Sequence, residues 1–133
     1  MRPKKIILLF SMDEVELSTM AFVLANSGLK VLKASTAKEA LRLFERNDVS
    51  VSLLDVGIHL FTSNDLAICL KKIDPFPPII LLGEMPEGFI HAADAFLNKR
   101  STSSAGLIDL IRVMCHRKRG PKSVVERNGT VAV

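Results

Sequence analysis

A chain of 133 residues with 48% hydrophobic side chains is long and apolar enough to bury the core of one domain, which excludes disorder throughout. All seven aromatic residues are Phe, so the core is expected to be mainly aliphatic. The net charge of +4 is concentrated at one end: residues 112–133 hold six Lys/Arg and one Glu, whereas the rest holds twelve Lys/Arg and thirteen Asp/Glu. The positive balance therefore belongs to a tail and does not signal a nucleic-acid-binding domain.

No apolar run approaches the ~20 residues that a membrane span needs, so no membrane association is expected. The opening MRPKKIILLF has a basic start, but its apolar stretch is short and runs into SMDE, which fits a buried strand better than a signal peptide. Cys69 and Cys115 share no motif spacing and read as buried thiols in a reducing, cytoplasmic setting.

KKIILLF, residues 4–10, is an unbroken apolar run, the mark of a strand covered on both faces. Residues 13–27 read as a helix stopped at Gly28, and residues 29–34 alternate as a strand. Thr36 and Glu39 form a capping box, behind which Ala37, Ala40, Leu41 and Phe44 fall on one helical face. VSVSLLD, residues 49–55, is the third strand, with Asp55 at its carboxyl end. A third helix over residues 63–73 turns Leu66, Cys69, Leu70 and Ile73 inward and is ended by Pro75, Pro77 and Pro78. Residues 78–83 form a second unbroken apolar strand and AFLNK, residues 95–99, a shorter one. The last helix starts within residues 101–104 and carries Leu107, Leu110, Ile111 and Met114.

Strands alternating with helices of this length imply βαβ units around a parallel sheet. The expected α/β fold is a flavodoxin-like, doubly wound five-stranded sheet of order 2-1-3-4-5, whose site lies beyond the carboxyl ends of strands one and three. That places residues 11–14 beside Asp55. The domain is expected over residues 1–118, followed by a basic extension over 119–133. There Asn128-Gly129 sits between β-prone segments as a hairpin signal, with a frayed terminus as the alternative.

This order of elements, with an aspartate in SLLDVGI closing strand three and a lysine in AADAFLNKR closing strand five, resembles the receiver domain of response regulators, a CheY-like superfamily. The resemblance runs from Lys4 to about Lys118. It implies that Asp55 is the phospho-acceptor, that Lys99 contacts the phosphoryl group, that the Gly57 carbonyl is a metal ligand and that Phe96 is a switch aromatic. Other positions depart from the family pattern. Ser11 and Met12 fall where two adjacent acids would hold Mg²⁺, with Asp13 one place beyond. Gly83 stands at the phosphoryl-contacting position of a Thr or Ser, and Arg100 replaces the proline after the lysine. The segment EMPEGFIHAAD is shorter than the family's usual connection, so the fourth helix is expected to be a single turn or absent.

Phosphoryl transfer to a carboxylate gathers negative charge and depends on neutralisation and positioning more than on acid–base work. Mg²⁺ prefers octahedral oxygen ligation. Asp13 (or Glu14), Asp55 and the Gly57 carbonyl are the candidate ligands here, while the Met12 sulfur is a donor that Mg²⁺ does not favour. Weakened Mg²⁺ binding is expected, with Lys99 instead pairing with Asp55. His59, His91 and His116 form no metal-spaced set, Ser11 lacks a nucleophile elbow, and no phosphate-cradling glycine loop follows strand one, so no enzymatic activity is expected.

The function these residues imply is a stand-alone, atypical receiver of two-component phosphorelay signalling. It would act through protein–protein contacts with a histidine kinase or a downstream protein partner, or as a homodimer, with weak or no phosphorylation at Asp55. Two alternatives stand beside it. One is a working Mg²⁺-dependent receiver phosphorylated on Asp55; the other is nucleic-acid docking by the basic tail, disfavoured because the tail has no aromatic residues to stack on bases.

Overall fold

The computed structural model describes residues 4–57, 59–84, 86 and 88–116. In chain order these form β1 (Ile6–Ser11), α1 (Glu14–Asn26), β2 (Lys30–Ala34), α2 (Ala37–Arg46), β3 (Val51–Gly57), α3 (Leu60–Ile73), β4 (Ile79–Gly83), β5 (Ala95–Asn98) and α4 (Ser104–Cys115). All strand pairs are parallel, in the order β2-β1-β3-β4-β5. This is the expected flavodoxin-like arrangement.

The period-2 alternation of the central strands sends side chains to two separate cores. Leu8, Phe10, Leu54 and Leu81 meet Ala40 and Phe44 of α2 and Leu66, Ala67 and Leu70 of α3. Ile7, Leu9, Leu53 and Ile80 meet Leu17, Ala21 and Leu24 of α1 and Leu107, Ile111 and Cys115 of α4. Helices thus cover both faces, which is why β1, β3 and β4 tolerate continuous apolar sequence. Among the described residues, no helix is long and apolar enough to cross a membrane.

Local signals act as expected at most helix ends. Thr36 Oγ1 accepts from Glu39 N at 3.1 Å, and Glu39 Oε1 returns a bond by accepting from Ser35 N at 3.1 Å. Ser103 caps α4 by accepting from Gly106 N at 3.0 Å. Such caps contribute about 1 kcal/mol each.

Expectations for β3 and α3 are corrected. β3 does not stop at Asp55: it continues through Val56 to Gly57, which pairs with Gly83 across a register shift and takes φ +49°, a conformation that favours glycine. Cys69 is exposed, not buried. α3 begins at Leu60, so its buried arc is set by Leu60, Ser63, Leu66, Ala67 and Leu70. At 100° per residue, Cys69 points about 110° from the centre of that arc, and Ile73, also expected to turn inward, lies at its margin and is exposed.

No helix separates β4 from β5 among the described residues, as the short connection implied. Phe89, Ala92, Ala93 and Phe96 lie instead against the α2/α3 core. The connection is fastened to α3 at several points. Ala92 N donates to Asn64 Oδ1 at 2.8 Å, Lys71 Nζ meets Asp94 Oδ2 at 2.7 Å, and Phe61 and Phe89 touch edge to face with ring centroids 5.6 Å apart. The same Asp94 oxygen accepts from Ile79 N at 2.7 Å, tying the start of β5 to the start of β4. The hairpin signal and the basic extension lie outside the described residues.

Candidate functional site

β1 and β3 are neighbours, and their register sets Ser11 against Asp55. The carboxyl ends of both strands therefore open into one cleft, lined by Ser11, Met12, Asp13, Glu16, Asp55, Gly57, His59 and Lys99. Asp55 follows Leu53 on the α1/α4 side of β3, and its side chain is only 3% exposed. Lys99 comes directly after β5, where its backbone N–H donates to Gly83 O at 3.1 Å. Its ammonium reaches across to Asp55 Oδ1 and Oδ2 at 3.3 and 3.1 Å. The Asp–Lys pairing expected from the sequence is present.

Glu16 was not among the sequence candidates, which stopped at Asp13 and Glu14. Glu16 Oε2 lies 2.7 Å from Lys99 Nζ, so the ammonium bridges two carboxylates. The available signal was the spacing of D-E-V-E. Asp13 is the N-cap of α1, its Oδ1 accepting from Val15 N at 2.9 Å and Glu16 N at 3.2 Å, and Glu16 is thereby fixed on the first turn. Ser11 is 2% exposed, and its hydroxyl is occupied locally, donating to Asp13 O and accepting from Asp13 N, both at 3.2 Å.

Burial pushes the Asp55 carboxyl above its ordinary value, and this outweighs the hydrogen bond and positive charge of Lys99. The charge of Glu16 pushes it further up, and the backbone of Gly57 pulls it down. Burial alone would lower the Lys99 ammonium, but its hydrogen bonds to Glu16 and Asp55, with their charges, prevail and hold it above the usual lysine range.

The direction for Asp55 has a consequence for stability. A native pKa above 3.8 means that folding favours the protonated carboxyl, a contribution complete below pH 3.8 and lost as pH rises through the native value. At neutral pH the buried charge is therefore a net cost. Asp55→Asn is expected to raise stability at pH 7.5 by about 1 kcal/mol in urea unfolding, the gain shrinking as pH falls toward 4. A destabilised variant at pH 7.5 would contradict this assignment of the balance.

Gly83 is placed by close contact with β3. A Cβ built there would run into Val56 Cγ2, and Val56 is itself 1% exposed. The hydroxyl that the resemblance leads one to seek at this position has no room while Val56 holds its place. Phe96 is half-buried on the opposite face from Asp55, its ring 5.6 Å from that of His91. Arg100, in the place of the family's proline, pairs with Glu84 at 2.8 Å on the surface.

For a divalent cation, Asp55, the Gly57 carbonyl and Asp13 line the same cleft. Both oxygens of Asp55 are bonded to Lys99, however, and Asp13 Oδ1 is committed to the helix end. Among the described residues, no three His, Cys, Asp or Glu side chains converge as a metal-binding group.

No protein-family model matches the chain. The Regulatory protein VanR of Enterococcus faecium is 30% identical over 129 residues, which are 91% of this chain and 54% of that protein. The chain thus spans about half the length of the curated relative it matches. Among solved structures, a response regulator receiver domain protein from Clostridium thermocellum is 25% identical with a TM-score of 0.71, covering 84% of this chain and 94% of the other. The response regulator TrrA of Thermotoga maritima, determined in complex with Mg²⁺-BeF, is 21% identical with a TM-score of 0.72 and shares the fold over 83% of this chain and 98% of its own. In sequence and fold the chain is thus similar to the receiver domains of response regulators.

Proposed function

We propose that this receiver is an atypical one, acting through protein–protein contacts, with Asp55 phosphorylated weakly or not at all. The observation that carries this reading is the occupied cleft. Lys99 lies across both oxygens of the buried Asp55, while Ser11 and Met12 stand where an acid pair would recruit a cation. The donor set suits Mg²⁺ poorly, since one bonded carboxylate, a carbonyl and a helix-capping aspartate leave few oxygens to complete an octahedron. One ammonium does not replace a divalent ion in gathering a phosphoryl group toward a carboxylate.

The surface supports a contact role. Phe61 and Ile90 are 74% and 88% exposed, on α3 and on the β4–β5 connection beside it. Exposed apolar groups next to a rearranged surface suit a protein partner, whether a histidine kinase, a downstream protein or a second copy of this chain. The Mg²⁺-BeF complex of TrrA favours a second reading, in which Asp55 is a working acceptor with Mg²⁺.

Incubation with acetyl phosphate and Mg²⁺, followed by intact-mass measurement, separates the two. The expected result is that only a small fraction of the chain gains a phosphoryl group. Near-complete, Mg²⁺-dependent labelling that Asp55→Asn abolishes would overturn the phosphorylation-independent reading.

A further inference from the structure

Lys99 is held by two carboxylates at once. Its ammonium lies 2.7 Å from Glu16 Oε2, closer than to either oxygen of Asp55 at 3.1 and 3.3 Å. Charge-assisted N–H···O bonds are strongest at the short end of this range, so Glu16 makes the better of the two contacts. Glu16 is also free to make it. An acid three residues after an N-cap ordinarily turns back to the cap's own N–H, but here Ser11 Oγ accepts from Asp13 N instead. The Glu16 backbone N–H, tied to Asp13 Oδ1, fixes the turn from which the side chain reaches outward.

Lys99 is the sole Lys or Arg lining the cleft among the described residues. Any anion bound on Asp55 must therefore draw its nearest positive charge from a lysine that already has a second carboxylate. We infer that Glu16 is a positioning residue that holds Lys99 in place of an incoming tetrahedral oxyanion, so that a phosphoryl-like group on Asp55 must displace Glu16 to reach the lysine. The inference rests on the reading of Asp55 as acceptor and adds what sets its affinity. Releasing Glu16 returns the whole ammonium to Asp55 and removes a neighbouring negative charge, and both changes favour an anion there.

Two substitutions separate the grip on Lys99 from charge alone. Glu16→Gln removes the charge, whereas Glu16→Asp keeps it on a side chain one methylene shorter. Each full-length chain is titrated with beryllofluoride in excess Mg²⁺ by fluorine NMR, and the Asp55 carboxyl carbon is followed against pH. Glu16→Gln is expected to tighten beryllofluoride binding about tenfold, the scale of one strong charge-assisted bond, and to lower the Asp55 titration midpoint. Glu16→Asp should tighten binding in the same direction, and Asp55→Asn should abolish it in every background.

Equal affinity in the parent and Glu16→Gln, lost in Asp55→Asn, would keep Asp55 as acceptor and overturn the role of Glu16. Tightening by Glu16→Gln with parental affinity in Glu16→Asp would also overturn it, because repulsion and not the hold on Lys99 would then be at work. Binding by neither chain, or binding that survives Asp55→Asn, would overturn the acceptor reading together with this inference.

Discussion

Lys99→Met is expected to lower stability by about 2–3 kcal/mol at pH 8, and by clearly less at pH 5. Removing one partner of a fully buried ion pair costs about 3–5 kcal/mol, because the remaining charge is left uncompensated. Asp55 meets that description with a side chain 3% exposed, but Lys99 is 35% exposed, so a loss just below that range is expected. The pH dependence follows from the sign of the Asp55 shift. Its pKa is already raised by burial with Lys99 present, and losing the lysine raises it further. Below the native value the carboxyl takes up a proton and the uncompensated charge disappears; as pH climbs through that value the deficit develops in full. Urea unfolding at the two pH values measures it. An equal loss at both would mean that Lys99 stabilises through its aliphatic stem and not through its charge.

Gly83→Ser tests the second expectation from geometry. A new Cβ meets Val56 Cγ2 inside a strand pair buried on both faces, so one of the two must move. Overpacking of this kind costs about 1–3 kcal/mol. Val56→Ala leaves a small void and costs about 2 kcal/mol by itself. In the double variant the serine occupies part of the space that the valine methyls give up. The double loss should fall short of the sum of the single losses by about 1 kcal/mol or more, which is the signature of residues in contact. Additive losses would show that the strands separate to admit the new side chain, and that Val56 is not what excludes a hydroxyl from the cleft.

Much of this was legible in the sequence for particular reasons. IILLF and IILLG are apolar on both faces because helices cover both sides of the sheet, and such runs are hard to mistake for surface strands. The short stretch after Gly83 announced that at most a single helical turn would fit there, and among the described residues no helix separates β4 from β5. Asp55 stood out at the carboxyl end of its strand, where the order 2-1-3-4-5 sets it beside residues 11–14, whereas Lys99 was legible only through the resemblance to receiver domains carried by AADAFLNKR. Glu16 was missed because its partner is 83 residues away and its own spacing advertises only a helix cap. Cys69 was misplaced because the third helix was read as starting at Ser63; three earlier residues, with Leu60 buried, rotate the inner arc away from it. The end of β3 was misjudged because an acid looks like the end of a buried run, whereas the bulge lets the ladder pass it.

The four residues of β5 are anchored differently at their two ends. The root is clamped where Asp94 accepts from both Ile79 N and Lys71 Nζ at 2.7 Å, contacts that do not involve the cleft. The tip carries Lys99, whose side chain depends on whichever carboxylates the cleft presents, and beyond it Arg100 and Glu84 make an exposed ion pair that salt screens. This edge strand is thus fixed at its root by contacts outside the cleft, while the charged side chain just beyond its tip belongs to the cleft. Through Phe96, which packs against the α2/α3 core on the face opposite Asp55, the same four residues also touch the layer against which Phe89, Ala92 and Ala93 of the β4–β5 connection lie.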